Sequence, residues 1–113
     1  MDWEAEQTEA SVRAGCLVML DLVKQHFVQR VLNDNRKVQT MWSDVAEWGG
    51  TVWFPAMAEA GVEYFAWIYS PHLYSRLSTD LTLQYTQRPV VLPFEELETA
   101  ERWLRAITAS HAN

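Results

Sequence analysis

The run Tyr-Phe-Ala-Trp-Ile-Tyr at residues 64–69 is apolar or aromatic at every position. A strand with one wet face alternates apolar and polar residues, so an unbroken run of this length reads as a strand covered on both faces. Covering both faces of a sheet takes helices on either side, and the simplest chain that supplies them alternates helix with strand.

The rest of the chain has that alternation. Thr8 can cap a first helix, in which Val12, Cys16, Met19, Leu20, Val23 and Phe27 recur at spacings of three and four as one apolar stripe. Residues 29–34 follow as a strand with Val31 and Leu32 at its centre. Asn33-Asp34-Asn35 ends it, because these side chains bond their own backbone in turns. Ser43 can cap a second helix with Asp44 in its first turn, and Val45, Trp48, Val52, Ala56 and Ala60 form its apolar face, with Gly61 as its stop. Gly49-Gly50 and Pro55 interrupt that helix. Pro55 lacks the N–H that would bond the Thr51 carbonyl, at a cost of about 3 kcal/mol in a straight helix, so a kink or two short helices meeting near Thr51 is expected.

After the 64–69 strand, Pro71 suits the first turn of a third helix, which holds Leu73, Leu77 and Leu81 at intervals of four with Tyr74 beside them. Gln87-Arg88-Pro89 breaks it, and Val90-Val91-Leu92 makes a short third strand ended by Pro93. Glu95, Glu96 and Glu98 open a last helix that Arg102 and Arg105 close, the charge order the helix dipole prefers. Its buried face is Leu97, Ala100, Trp103, Leu104 and Ile107, and residues 111–113 are expected to fray. Trp3 between Asp2 and Glu4 has the alternation of a fourth, stub-like strand at the N-terminus. The expected fold is α/β: a single domain over residues 1–113, with about three parallel strands and the N-terminal stub, joined by right-handed crossovers and covered by four helices.

Composition narrows function by exclusion. A net charge of −6 with only nine Lys and Arg leaves no basic surface for nucleic acid. Cys16 is the single cysteine, so no internal disulfide can form, and a cytoplasmic setting with Cys16 as a buried structural thiol is expected. No apolar run reaches the ~18–20 residues of a membrane span, and the start lacks the basic and apolar regions of a signal peptide. His26, His72 and His111 lie far apart with no metal-ligand spacing. There is no G-x-S-x-G elbow and no Gly-rich phosphate loop, so neither a hydrolase triad nor a nucleotide site is expected, and no cofactor is implied.

Two features remain. Asn33, Asp34, Asn35 and Arg36 stand at the carboxyl end of a strand, where open α/β sheets present their sites. They read either as a capped turn with a surface ion pair, or as a small catalytic site in which Asp34 and Arg36 act with Tyr69 or His72. Trp42 and Trp53 fall off the apolar face of the second helix, and off-face aromatics near a strand end often mark a binding groove or subunit contact; the alternative for Trp53 is packing beneath the Pro55 kink.

The pattern Val31-Leu32-Asn33-Asp34-Asn35-Arg36, then Trp48, Trp53-Phe54-Pro55, Ala60-Gly61 and Phe65-Ala66-Trp67, with the closing run from Phe94 to Leu104, resembles bacterial STAS-like proteins of the anti-sigma-factor-antagonist-like, STAS/CRAL-TRIO-like kind. The resemblance spans roughly residues 3–107. It implies a non-catalytic module that binds a protein partner, a second copy of itself, or a small apolar ligand. Two departures stand out. The chain looks shortened ahead of Trp3, which would leave a sheet edge seeking a partner in a homodimer. It also has no Asp-Ser-Ser/Thr-Gly phosphorylation loop; Thr40 and Ser43 are the nearest hydroxyls, and Ser43 reads better as a helix cap.

Overall fold

The computed structural model describes residues 9–37 and 45–111. The expected stub around Trp3, the cap at Thr8, and Thr40, Trp42 and Ser43 lie outside the described residues. In chain order the elements are α1 (Glu9–His26), β1 (Arg30–Asp34), α2 (46–59), β2 (Tyr64–Ile68), α3 (Leu73–Tyr85), β3 (Val90–Phe94) and α4 (Leu97–His111). The three strands form one parallel sheet in the order β1-β2-β3, with Val31 beside Phe65 beside Val91, and Asp34 beside Ile68 beside Phe94. The fold is α/β, with three parallel strands and four helices among the described residues.

β2 is the central strand, which is why its sequence has no polar position. Phe65 and Trp67 point to one face; Ala66 and Ile68 point to the other, and all four are buried. The first face carries α1, α2 and α3, and its core joins Val12, Cys16, Met19 and Val23 of α1 to Trp53, Phe54 and Met57 of α2. Two crossovers of the same hand between sequentially neighbouring strands put their helices on one side, and α2 and α3 indeed pack on each other. The second face carries α4, whose Leu97, Ala100, Trp103 and Leu104 close over Leu32, Ala66, Ile68 and Phe94. Trp103 stacks obliquely on Phe94 at 5.5 Å and edge-on to Tyr64 at 5.9 Å.

Several expectations need correcting. Phe27 does not belong to the α1 stripe. The helix ends at His26, Phe27 takes a left-handed φ of 52°, and its side chain is 85% exposed. Pro93 does not end β3; it pairs with Trp67 inside the strand, tolerated because β3 has β2 on one side and is an edge among the described residues.

The second helix runs without a break past Pro55, because its middle is π-helical. Ala46–Trp48 and Phe54–Glu59 are α-helical, and Gly49–Trp53 between them forms a π turn in which the Phe54 N–H bonds the Gly49 carbonyl. The wider turn adds a residue, so the inward face advances by one position after Trp48. Val52 turns outward, half exposed, while Trp53, Phe54 and Met57 become the core.

α3 departs furthest from expectation. Leu73 and Leu77 are exposed and Leu81 is half-buried, while Ser75, Ser78, Thr79 and Thr82 face inward with almost no accessible surface. The cause is the distance to α2. A Cβ placed on Gly50 would lie 2.4 Å from the Tyr85 Cβ and 2.9 Å from the Thr82 carbonyl oxygen. Backbones that close admit only small side chains between them. The two buried threonine hydroxyls are satisfied within the helix: Thr79 donates to the Ser75 carbonyl at 3.3 Å and Thr82 to the Ser78 carbonyl at 2.9 Å.

Candidate functional site at the carboxyl edge of the sheet

Parallel strands in register end together, so the residues just past Asp34, Ile68 and Phe94 share one edge. The Asn35 N–H bonds the Ile68 carbonyl at 3.1 Å and the Tyr69 N–H bonds the Phe94 carbonyl at 2.9 Å, extending the ladder one step beyond the strands. Two polar groups sit on this edge.

The first is the turn after β1. Asp34 Oδ1 accepts the Arg36 backbone N–H at 2.9 Å, and the Arg36 Nε lies 2.9 Å from both carboxylate oxygens, with Nη2 at 2.5 Å from Oδ2. Arg36 is half exposed and the Asp34 side chain only 14% so. The Arg36 guanidinium beside it holds the Asp34 carboxyl below its usual range, against a smaller opposing effect of burial. Asn33 and Asn35 are both buried, and the Asn33 Nδ2 donates to the Asn35 Oδ1 at 3.3 Å. These four residues do gather as the sequence predicts, and they do so by bonding one another.

The second group joins β2, α3 and the start of the segment after β3. The Tyr69 hydroxyl donates to Asp80, and the Arg76 guanidinium lies over the Tyr69 ring, 4.3 Å from its centre. Arg76 also makes a two-pronged pair with Glu95, at 2.9 and 2.5 Å, and its Nη1 reaches the Ser70 carbonyl at 3.4 Å. Burial first, then the Asp80 carboxylate that accepts its proton, pushes the Tyr69 phenol up to about 12. Arg76 holds the Glu95 carboxyl below its usual value. Ser70 Oγ accepts the His72 backbone N–H at 3.0 Å at the entry to α3, and His72 itself is exposed. Tyr69 and His72 were candidates from sequence. Arg76, Asp80 and Glu95 were not; the signal for two of them is the four-residue spacing of Arg76 and Asp80, one helical turn apart on α3.

Trp53 moves from the candidate surface to the core. It is 5% exposed, its indole N–H donates to the Cys16 carbonyl at 2.8 Å, and its ring packs against Phe54 at 4.7 Å and Phe65 at 5.8 Å. Packing beneath the Pro55 region is therefore the alternative that describes it. Burial pushes the neighbouring Cys16 thiol up to about 12, so it stays protonated and inert at neutral pH. Among the described residues no three His, Cys, Asp or Glu side chains converge as a metal site, and no helix is long and apolar enough to cross a membrane. At the opposite, amino edge an open groove of 410 Å³ is lined by Phe27, Val28, Gln29, Arg30, Leu104 and Arg105.

Comparison of the chain with protein-family models, with curated proteins and with solved structures found no match.

Proposed function

We propose that this chain is a non-catalytic, STAS-like cytoplasmic module that works by binding, its partner being another protein or a second copy of itself. One observation carries the reading: Asp34, Glu95 and Tyr69 at the carboxyl edge are held away from neutrality by burial and by their own neighbours. Asp34 is lowered by Arg36, Glu95 is lowered by Arg76, and Tyr69 is raised to about 12. A general acid or base works best with a pKa near the working pH, and the paired groups here have been moved the other way. Meanwhile apolar side chains stand in solvent on both outer helices of the first face, Leu17, Val18 and Leu22 on α1 and Leu73 and Leu77 on α3. Clustered exposed apolar residues are what binding surfaces are made of. The small apolar ligand that the STAS-like resemblance allows would meet Phe27, Val28 and Leu104 in the open groove at the amino edge.

The test is Asp34→Asn. In a binding module the change leaves the turn folded and stability within ~1 kcal/mol of wild type, since an amide still accepts the backbone N–H. Both proteins are then assayed against a panel of small metabolites. A turnover that wild type performs and the stable variant loses replaces this reading with a small enzyme built on Asp34 and Arg36.

A further inference from the structure

We infer that the outer flank of α1 is a two-fold interface between two copies of this chain, the helices packed antiparallel with Val18 on the axis. The inference rests on the self-association part of the proposed function and assigns it a surface.

α1 uses Val12, Cys16, Met19 and Val23 to pack on its own domain, chiefly against Phe54–Glu59. A second stripe runs beside that one. Ser11, Ala14, Val18, Leu22 and Gln25 follow at steps of three, four, four and three, the spacing of a helix-pairing seam, and all five are exposed. Val18 is 54% and Leu22 49% accessible. None of the five is charged; Arg13 and Lys24 lie on other sides of the helix, and the exposed Asp21 borders the stripe beside Ala14.

The stripe is complementary to itself when reversed. With Val18 facing Val18, Ala14 meets Leu22 and Ser11 meets Gln25, small against large and polar against polar. A two-fold interface requires that kind of match, because each residue must suit its counterpart in both directions. Charge selects the same orientation. The helix opens on Glu9 and is basic in its last turn, at Lys24 and His26. Antiparallel pairing sets the acidic end of one copy beside the basic end of the other and opposes the two helix dipoles, whereas parallel pairing sets like against like.

Light scattering at micromolar concentration is expected to show a species of twice the 13.1 kDa chain mass. Val18→Glu puts two carboxylates face to face on the axis and should weaken association by on the order of 100-fold. Val18→Cys should cross-link to itself under mild oxidation, since only residues near a two-fold axis bring their Cα atoms within about 7 Å. Leu17→Cys, one position around the helix, should not, and the buried Cys16 leaves wild type uncross-linked. A wild-type monomer overturns this interface and the self-association reading together. A dimer that survives Val18→Glu, or that fails to cross-link through Val18→Cys, overturns this interface alone and moves the contact to another surface. If Val18→Glu unfolds, the cross-linking of Val18→Cys decides.

Discussion

α1 and α3 lie on the same face of the sheet and follow opposite rules. Both have an apolar stripe at helical spacing in the sequence. In α1 the stripe goes inward and Val12, Cys16, Met19 and Val23 fill the space above the sheet. In α3 the leucines go outward and Ser75, Ser78, Thr79 and Thr82 go inward. Hydrophobicity alone cannot choose between these outcomes; the room available does. α1 meets side chains, whereas α3 meets Gly49 and Gly50 of the π turn, so close that a methyl group on Gly50 has no place to go. Loss of hydrophobic burial on α3 is offset by close backbone packing and by polar ties at its flank, Asp80 to Tyr69 and Arg76 to Glu95.

If α1 is held by burial, Met19→Ala should cost ~2–4 kcal/mol, as other large-to-small core changes do. Chemical denaturation showing a loss under about 1 kcal/mol would put the α1 stripe outside the core and erase the contrast between the helices. The complementary test on α3 is Gly50→Ala. Filling the contact should cost about 1–3 kcal/mol, even though Ala is the better helix former. A stabilised variant would mean that the two helices are not in close contact.

The polar ties of α3 add a pH signature of their own to the alkaline one that the buried Cys16 thiol gives α1. The folded protein raises the Tyr69 phenol from 10.0 to about 12, so it binds this proton more tightly than the unfolded chain does. The associated stability is fully present below pH 10 and is lost as pH rises through about 12. Tyr69→Phe should therefore flatten the alkaline limb of the stability curve, with a loss of about 1 kcal/mol or less at neutral pH. An alkaline limb unchanged by the substitution would remove Tyr69 as its source. The smallest effect belongs to Leu77→Ser, which at an exposed site should stay within about 0.5 kcal/mol. A loss of about 2 kcal/mol or more would return the leucine stripe to the core, and α3 would then follow the rule of α1.

The turn that gathers Asn33, Asp34, Asn35 and Arg36 was legible in the sequence because its bonds are local, spanning two residues. The Tyr69, Arg76, Asp80 and Glu95 cluster was not, since it needs the register of β2 with β3 and the placement of α3 over their ends. Trp53 shows the same division from the other side. Its position off a 3.6-residue stripe leaves two readings open, a binding surface or packing beneath Pro55, and the π turn decides for packing by changing the phase of everything after Trp48.

What the sequence by itself determined is the alternation of helix and strand, the unbroken apolar character that makes β2 central, and the stripe that seats α1. These depend on local periodicity and on how much apolar surface each segment must hide, both properties of neighbouring residues. Only the tertiary structure decided which face α3 turns inward, that Trp53 is core, and how the carboxyl-edge charges pair. Each of those depends on the separation and register of elements distant in the chain, and the lack of room for even a Cβ between Gly50 and α3 outweighs the preference of several leucines for burial.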